Sequence, residues 1–436
     1  MSRRVVTAWA TAATAALATL AAAPAGADPL DDFGFGGAAA ATAGARAATA
    51  TGPEAAHHNA AGIALGDHPA LMVGWGAGTM QLDIDGHDAE LLDPHGASIG
   101  IAVPVALGGG WTVAGGLALY LPDQFLARVQ LIPTTEPHYV LLDNDPHRVV
   151  VEPVAALAYG DRFAIGAGAS VLADARSNQI VFDVGVVAGE KVGEAQLDIE
   201  LPMRLAPILG VWARPSDRVR LGATFRGELS LDLVLDILAN VQVVGVVTGD
   251  ALVSLRASNY FTPARGTAAA AVDVTPDLTI EGDVTWSHWS SFDAGVADLQ
   301  VLVALDITPP LVSSQTPAPG FHDTFSGRAG VEWRGGGRRT RWALRGGWGW
   351  LPTPVPAQTG LTSFADGDRM LVTLGAGVTL ADWAPILTRP IDVDVGLQWQ
   401  HVAHQLTQKD VDLYPGQAFS SGGDILHAGV STTIRF

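Results

Sequence analysis

The chain has no cysteine among its 436 residues, which excludes a disulfide scaffold, a thiolate metal site and a cysteine nucleophile. Charge is scarce too: Asp, Glu, Lys and Arg make up 16% of the chain, against about 25% in ordinary globular domains. Beyond the N-terminus there is no apolar run of about 18 residues, so no transmembrane helix is expected. Yet 48% of the residues are hydrophobic. A hydrophobic chain without a membrane helix is either a large buried β structure or a membrane barrel. Catalytic signatures are missing as well. There is no G-x-S-x-G elbow, no H-E-x-x-H pair and no phosphate loop. No carboxylate pair stands apart as an acid and base, so the chain reads as a non-enzyme with no cofactor and no metal.

The N-terminus reads as a secretory leader. Arg3 and Arg4 form a basic start, Val5 to Ala23 a small-residue apolar stretch, and Ala25-Gly26-Ala27 an A-x-A cleavage site. Domain boundaries follow as 1–27 for the leader, 28–68 for a non-alternating segment and 69–436 for the remainder. Losing Arg3 and Arg4 with the leader takes the formal charge from -19 to -21. So acidic a chain does not bind nucleic acid through counterion release.

Period-two alternation dominates what is left. In "DRMLVTLGAGVTL", Met370, Val372, Leu374, Ala376, Val378 and Leu380 share one face. In "IDVDVGLQWQ", Ile391, Val393, Val395, Leu397 and Trp399 oppose Asp392, Asp394 and two glutamines. Such segments run about 10 to 13 residues, the length of a tilted membrane strand. Trp286, Trp289, Trp333, Trp350, Trp383 and Trp399 fall near strand ends, as an interfacial girdle requires.

About fourteen strands are expected, near 69–84, 96–107, 110–121, 148–159, 161–173, 194–213, 217–233, 251–274, 277–289, 324–335, 339–350, 368–381, 389–404 and 424–436. The apolar runs at 180–188 and 240–248 are either extra strands or ordered loops. Short turns alternate with long connections at 122–147, 290–323, 351–367 and 405–423, the asymmetry of outer-membrane barrels. The chain ends on Phe436, with Ile434, Val430 and Leu426 on its face, like an insertion signal read by the barrel assembly machinery. The fold class is thus an all-β transmembrane antiparallel barrel. Its partners are outer-membrane lipid and lipopolysaccharide.

Residues 28–68 are Gly/Ala-rich and precede the first strand. The stretch "AGARAATATGPEAAHHNAAGIAL" resembles the N-terminal hatch of the FadL-type family (OmpP1/FadL/TodX-like) of outer-membrane transporters. Gly44, Asn59, Ala61, Gly62 and Ile63 fall in register with that hatch. Ala60 stands where the family has proline, Thr51-Gly52 where it has an acidic pair, and His57-His58 where it has two aromatics. Residues 275–293, with "WSSFD", and 343–378, with "TPVP" and "DGDR", resemble the same family. The resemblance implies a 14-stranded barrel with a hatch inside, passing long-chain fatty acids, related lipids or aromatic hydrocarbons passively. The alternative is a water-filled porin for polar solutes.

His57 and His58 read as packed or hydrogen-bonded ring substitutes in the hatch. A pH-sensitive contact is the second reading, since His titrates near neutrality. A metal site is the third, disfavoured because adjacent side chains point apart on an extended chain. With apolar residues outward, the lumen receives Glu281, Asp283, Arg328, Glu332, Arg334, Arg341, Arg345, Asp392 and Asp394. Buried mixed charges normally pair with one another. The sharper reading sets Arg328 or Arg345 against a ligand carboxylate. Phe33 and Phe35 are candidate ligand contacts at the hatch start. Phe125 and Leu126, in the apolar stretch 119–133, are candidates for external capture together with the 290–323 loop.

Overall fold

The computed structural model describes residues 29–124, 136–142, 149–173, 176–187, 190–200, 203–243, 247–292, 298–305, 320–360, 362–381, 389–413 and 416–436. The expected leader, Phe125, Leu126 and Trp383 lie outside the described residues.

Fourteen strands close into one antiparallel barrel. They are β1 Ala70–Ile84, β2 His95–Gly108, β3 Trp111–Pro122, β4 Val150–Tyr159, β5 Phe163–Ala173, β6 Met203–Ser216 and β7 Val219–Arg226. Then follow β8 Arg265–Thr275, β9 Leu278–Ser287, β10 Thr324–Gly336, β11 Thr340–Leu351, β12 Arg369–Leu380, β13 Ile391–Leu413 and β14 Gly416–Arg435. Closure comes from β1, which pairs with β2 on one side and with β14 on the other, in register Ala70↔Arg435 through Ile84↔Ser421. Every strand therefore has two partners and no edge is left to the membrane, which a barrel in lipid requires.

The alternation is that of a membrane barrel. Val73, Trp75, Ile165, Leu209, Leu374, Leu397 and Val430 are exposed on the outside, while Glu281, Asp283, Thr373, Gln398, Gln400 and Ser431 are buried within. Trp111, Tyr159, Phe163, Trp333 and Trp342 are exposed beside the short turns, the position of an interfacial aromatic girdle. Trp350 and Trp399 are exposed toward the other rim, whereas Trp289 departs from the expected girdle. It is buried in a short turn, Trp289–Ser291, against Phe261 and Phe321.

Three expected strands prove to be parts of two each. The stretch 194–213 spans Glu190–Glu200 and β6, 217–233 spans β7 and Leu229–Val243, and 251–274 spans Val247–Thr262 and β8. Arg176–Val187, Glu190–Glu200, Leu229–Val243, Val247–Thr262 and Asp298–Leu305 form a separate five-stranded sheet joined to the barrel at the long-loop end. The runs at 180–188 and 240–248 lie largely in that sheet. The expected loop 405–423 is mostly strand as well, because β13 and β14 continue pairing to Leu413↔Gly416. The apolar stretch from 119 begins as strand too, up to Pro122.

The N-terminal segment Pro29–Leu65 runs through the lumen as short helical turns. It packs against the inner wall through alanine and glycine. A methyl group on Gly222 would sit 2.2 Å from the Ala47 carbonyl oxygen, and one on Gly210 2.3 Å from the Asn59 side-chain oxygen. Only bare backbone on the wall lets the segment lie this close.

Candidate functional site

His57 and His58 are the last two residues of the short helix Ala55–His58, so the two histidines sit on a helical turn and not on the extended chain assumed above. Their rings are 5.0 Å apart and edge to face. His57 Nδ1 lies 2.9 Å from Glu152 Oε2 on β4, and Nε2 lies 3.5 Å from Asp31 Oδ1. Both ring nitrogens therefore face carboxylates, the arrangement that holds a doubly protonated imidazolium. Burial and the Arg226 guanidinium oppose that charge, but Glu152 and Asp31 outweigh them and raise the pKa to about 9. His58 goes the other way. Burial, then the charge of His57, push it well below its ordinary value.

The network extends into the wall on both sides. Arg226 on β7 forms an ion pair with Glu152 and donates to the His57 carbonyl. Asp31 pairs with Arg265 on β8, and its carbonyl accepts from Arg328 Nη2 at 2.9 Å. Asp32 pairs with Arg369 on β12 at 3.2 Å, and its carbonyl accepts from Gln398 at 2.8 Å. Burial raises the Asp31 carboxyl, but Arg265 and His57 win and hold it well below the usual range. Three arginines from three strands thus grip the first turn of the segment, and Arg226 from a fourth holds the turn at His57.

Asn59 fastens the next turn. Its side-chain N–H groups donate to the Ala47 carbonyl at 2.7 Å and the Val211 carbonyl at 3.0 Å, and its oxygen caps Ala61 N at 3.2 Å. Ala61 and Gly62 follow in the buried turn Ala60–Leu65. Gly44 has a φ of 76°, and a methyl group there would lie 2.6 Å from Arg328 Nη1.

A cavity of about 110 Å³ lies between this segment and the long-loop end, lined by Asp31, His58, Arg265, Asp283, Arg328 and Trp289 among others. Arg328 therefore faces a cavity. Arg345 is instead held by Glu332 and Asp394, at 2.6 Å each. Leu141 and Trp289 belong both to the lining and to an apolar cluster with Phe261, Phe292, Phe321, Val355 and Phe364. In that cluster Phe292 lies 4.4 Å from Phe261 and 4.7 Å from Phe321, centre to centre. Phe33 is buried against the His427 ring at 4.7 Å and lines a small pocket with Trp75 and Val430. Phe35 is fully buried among the alanines of the segment. Among the described residues no group of three His, Asp or Glu side chains is placed to hold a metal ion.

Sequence reasoning missed Glu152, Arg226, Arg265 and Arg369. Glu152 had a signal, a lone acid in the apolar run "VVVEPVAAL". The arginines stand at strand ends, where charge is ordinary.

A closed barrel with lipid-facing aliphatics, a polar lumen and a segment folded inside defines an outer-membrane barrel of the transport type. Residues 206–436 match the family described as outer membrane protein transport protein (OMPP1/FadL/TodX), and the chain belongs to that family. No curated protein sequence matches it. Among solved structures it is similar to a Pseudomonas aeruginosa FadL homologue, with 15% identity, 92% of this chain and 98% of that one covered, and a TM-score of 0.56. It is also similar to the Ralstonia pickettii toluene transporter TbuX, with 16% identity, 93% and 99% coverage, and a TM-score of 0.52. The Pseudomonas putida toluene transporter TodX gives 12% identity, 94% and 100% coverage, and a TM-score of 0.52. Identities this low establish the shared fold.

Proposed function

We propose that this outer-membrane transport protein carries hydrophobic small molecules, such as long-chain fatty acids, related lipids or aromatic hydrocarbons, down their gradient. The observation that carries the reading is continuity. The aromatic cluster at the long loops shares Leu141 and Trp289 with the cavity, and Asp31, His58 and Gly44 of the N-terminal segment line that cavity from the other side. A hydrophobic molecule caught by the loops reaches the segment without crossing bulk water. The segment acts as a hatch, spanning residues 28–68, and its movement opens the way on. The pocket of Phe33, Trp75 and Val430 is where a sideways exit would open, because it lies against the wall and both wall residues are exposed on the lipid face. A hatch across the lumen is at odds with a water-filled porin for polar solutes.

The same reading includes removal of residues 1–27 as a leader, insertion by the barrel assembly machinery through the strand ending at Phe436, and contact with lipopolysaccharide. Phe125 and Leu126 keep their proposed role in capture. The test is uptake of a radiolabelled long-chain fatty acid by cells lacking their own such channel. Saturable uptake that is lost on deleting residues 28–64 supports the reading. No uptake through a correctly inserted barrel, for the fatty acid and for aromatic hydrocarbons alike, rejects it.

A further inference from the structure

The cavity next to the hatch is not lined as a hydrocarbon would want. Around it stand the hydroxyls of Thr224, Thr267, Thr285, Ser287, Thr324 and Ser326. Asp283 is 6% exposed, and its Oδ1 has no hydrogen-bond partner among the described residues. Nor does His58 Nε2, which is shut off from solvent on the hatch side of the same cavity. An unpartnered buried polar atom is costly, and sites that leave one open usually receive it from a ligand or a water.

We propose that this cavity is a headgroup site that selects amphiphiles bearing a hydroxyl over unsubstituted hydrocarbons. The inference rests on the reading that hydrophobic molecules pass through this barrel, and it narrows their class. A hydroxyl both donates and accepts. It therefore satisfies the Asp283 oxygen whether the carboxyl is ionised or protonated, and His58 Nε2 in either tautomer. The volume, about 110 Å³, takes the polar end of a ligand and not its whole length. The apolar remainder has a place to go, since Leu141 and Trp289 join the cavity to the aromatic cluster at the loops. An alkane entering the cavity would displace water from Asp283 and His58 and give nothing back. Sites built to bond a substrate hydroxyl reject the analogue lacking it far more strongly than apolar pockets reject a change of one methylene.

The test compares uptake of radiolabelled 1-dodecanol and dodecane by cells lacking their own such channel, with the full chain in the outer membrane. Heat-modifiable gel mobility confirms insertion of each variant. The wild-type protein should take up the alcohol at least about tenfold faster than the alkane. Asp283→Leu should lower that ratio at least about fivefold, and His58→Phe should lower it independently if the first variant fails to insert. Equal uptake of both probes by the wild type overturns the proposal and leaves the Asp283 oxygen to a water alone. So does an alcohol preference that survives both substitutions. Uptake of neither probe through an inserted barrel overturns the transport reading, and this inference with it.

Discussion

Raising the pH from about 6.5 to about 9 should weaken the docking of the hatch. Docked, His57 holds two protons between Asp31 and Glu152, with a pKa of about 9. Burial and Arg226 work against this charge, and His58, 5.0 Å away, stays neutral beside it. In an undocked, solvated hatch the same ring returns to about 6.5. The docked form binds the proton more tightly, so its contribution to docking is complete below about pH 6.5, declines as the pH rises, and is gone above about 9. The gap corresponds to roughly 3 kcal/mol, a factor of a few hundred in the docking equilibrium. Hydrogen–deuterium exchange at the amides of residues 43–65, corrected for the intrinsic pH dependence of exchange, reads that equilibrium directly. Protection should fall between pH 6.5 and 9.5 in the wild type. His57→Gln should be less protected at pH 6 and show a flat profile. Equal corrected protection at pH 6 and 9.5, or the wild-type profile in His57→Gln, would refute the assignment of His57 as the protonated link.

Other outcomes follow from the same contacts. Gly222→Val should push the hatch off the wall at Ala47, making residues 29–66 sensitive to added protease while heat-modifiable mobility stays that of an inserted barrel. Asn59→Ala removes donors to the Ala47 and Val211 carbonyls and should cost about 1–3 kcal/mol of docking, seen as faster exchange at Ala61 and Gly62. Arg345→Met leaves Glu332 and Asp394 without the cation between them. It should lower barrel stability by about 3–5 kcal/mol in urea unfolding, with charged and neutral substrates affected alike. Phe292→Ser combined with Phe321→Ser should raise the half-saturating concentration for uptake and leave the maximal rate little changed; a lower maximal rate at unchanged half-saturation would place the cluster after capture.

The barrel was legible because lipid on one side and a polar lumen on the other impose period two on every spanning strand. That is why Met370 to Leu380 and Ile391 to Trp399 could be read directly. The same signal misled where strands left the barrel. Alternation runs on through Leu229–Val243 and Val247–Thr262, which pair with each other in another sheet, the first also with Arg176–Val187 and the second with Asp298–Leu305. Sequence period reports that a residue is in a strand, not which sheet holds the partner. The count of fourteen survived because three stray segments were appended to true barrel strands, while Arg176–Val187 and Asp298–Leu305 fell outside the expected fourteen.

The lumen shows a different limit. Reading apolar residues as outward correctly sends Asp283, Arg328, Glu332 and Arg345 inward, but their fates depend on register, which no local pattern encodes. Arg345 pairs across the ladder with Glu332 and meets Asp394 two strands further on. Arg328 stands opposite Asp283 in the ladder, yet its guanidinium turns to the hatch and bonds the Asp31 carbonyl. The two arginines look equivalent in the sequence, each inward on a strand of alternating aromatics and glycines. They differ because wall carboxylates, Glu332 and Asp394, hold Arg345, whereas a hatch carbonyl, that of Asp31, takes Arg328. An alanine-rich hatch has few side chains with which to hold its place, so the wall supplies much of the charge and the hatch answers with backbone groups and a few polar side chains, Asp31, Asp32, Arg46, Thr49, His57 and Asn59 among them. Wherever the wall's polar atoms exceed what the hatch returns, as at Asp283 Oδ1, the lumen is left with an opening for a ligand's own hydrogen bond.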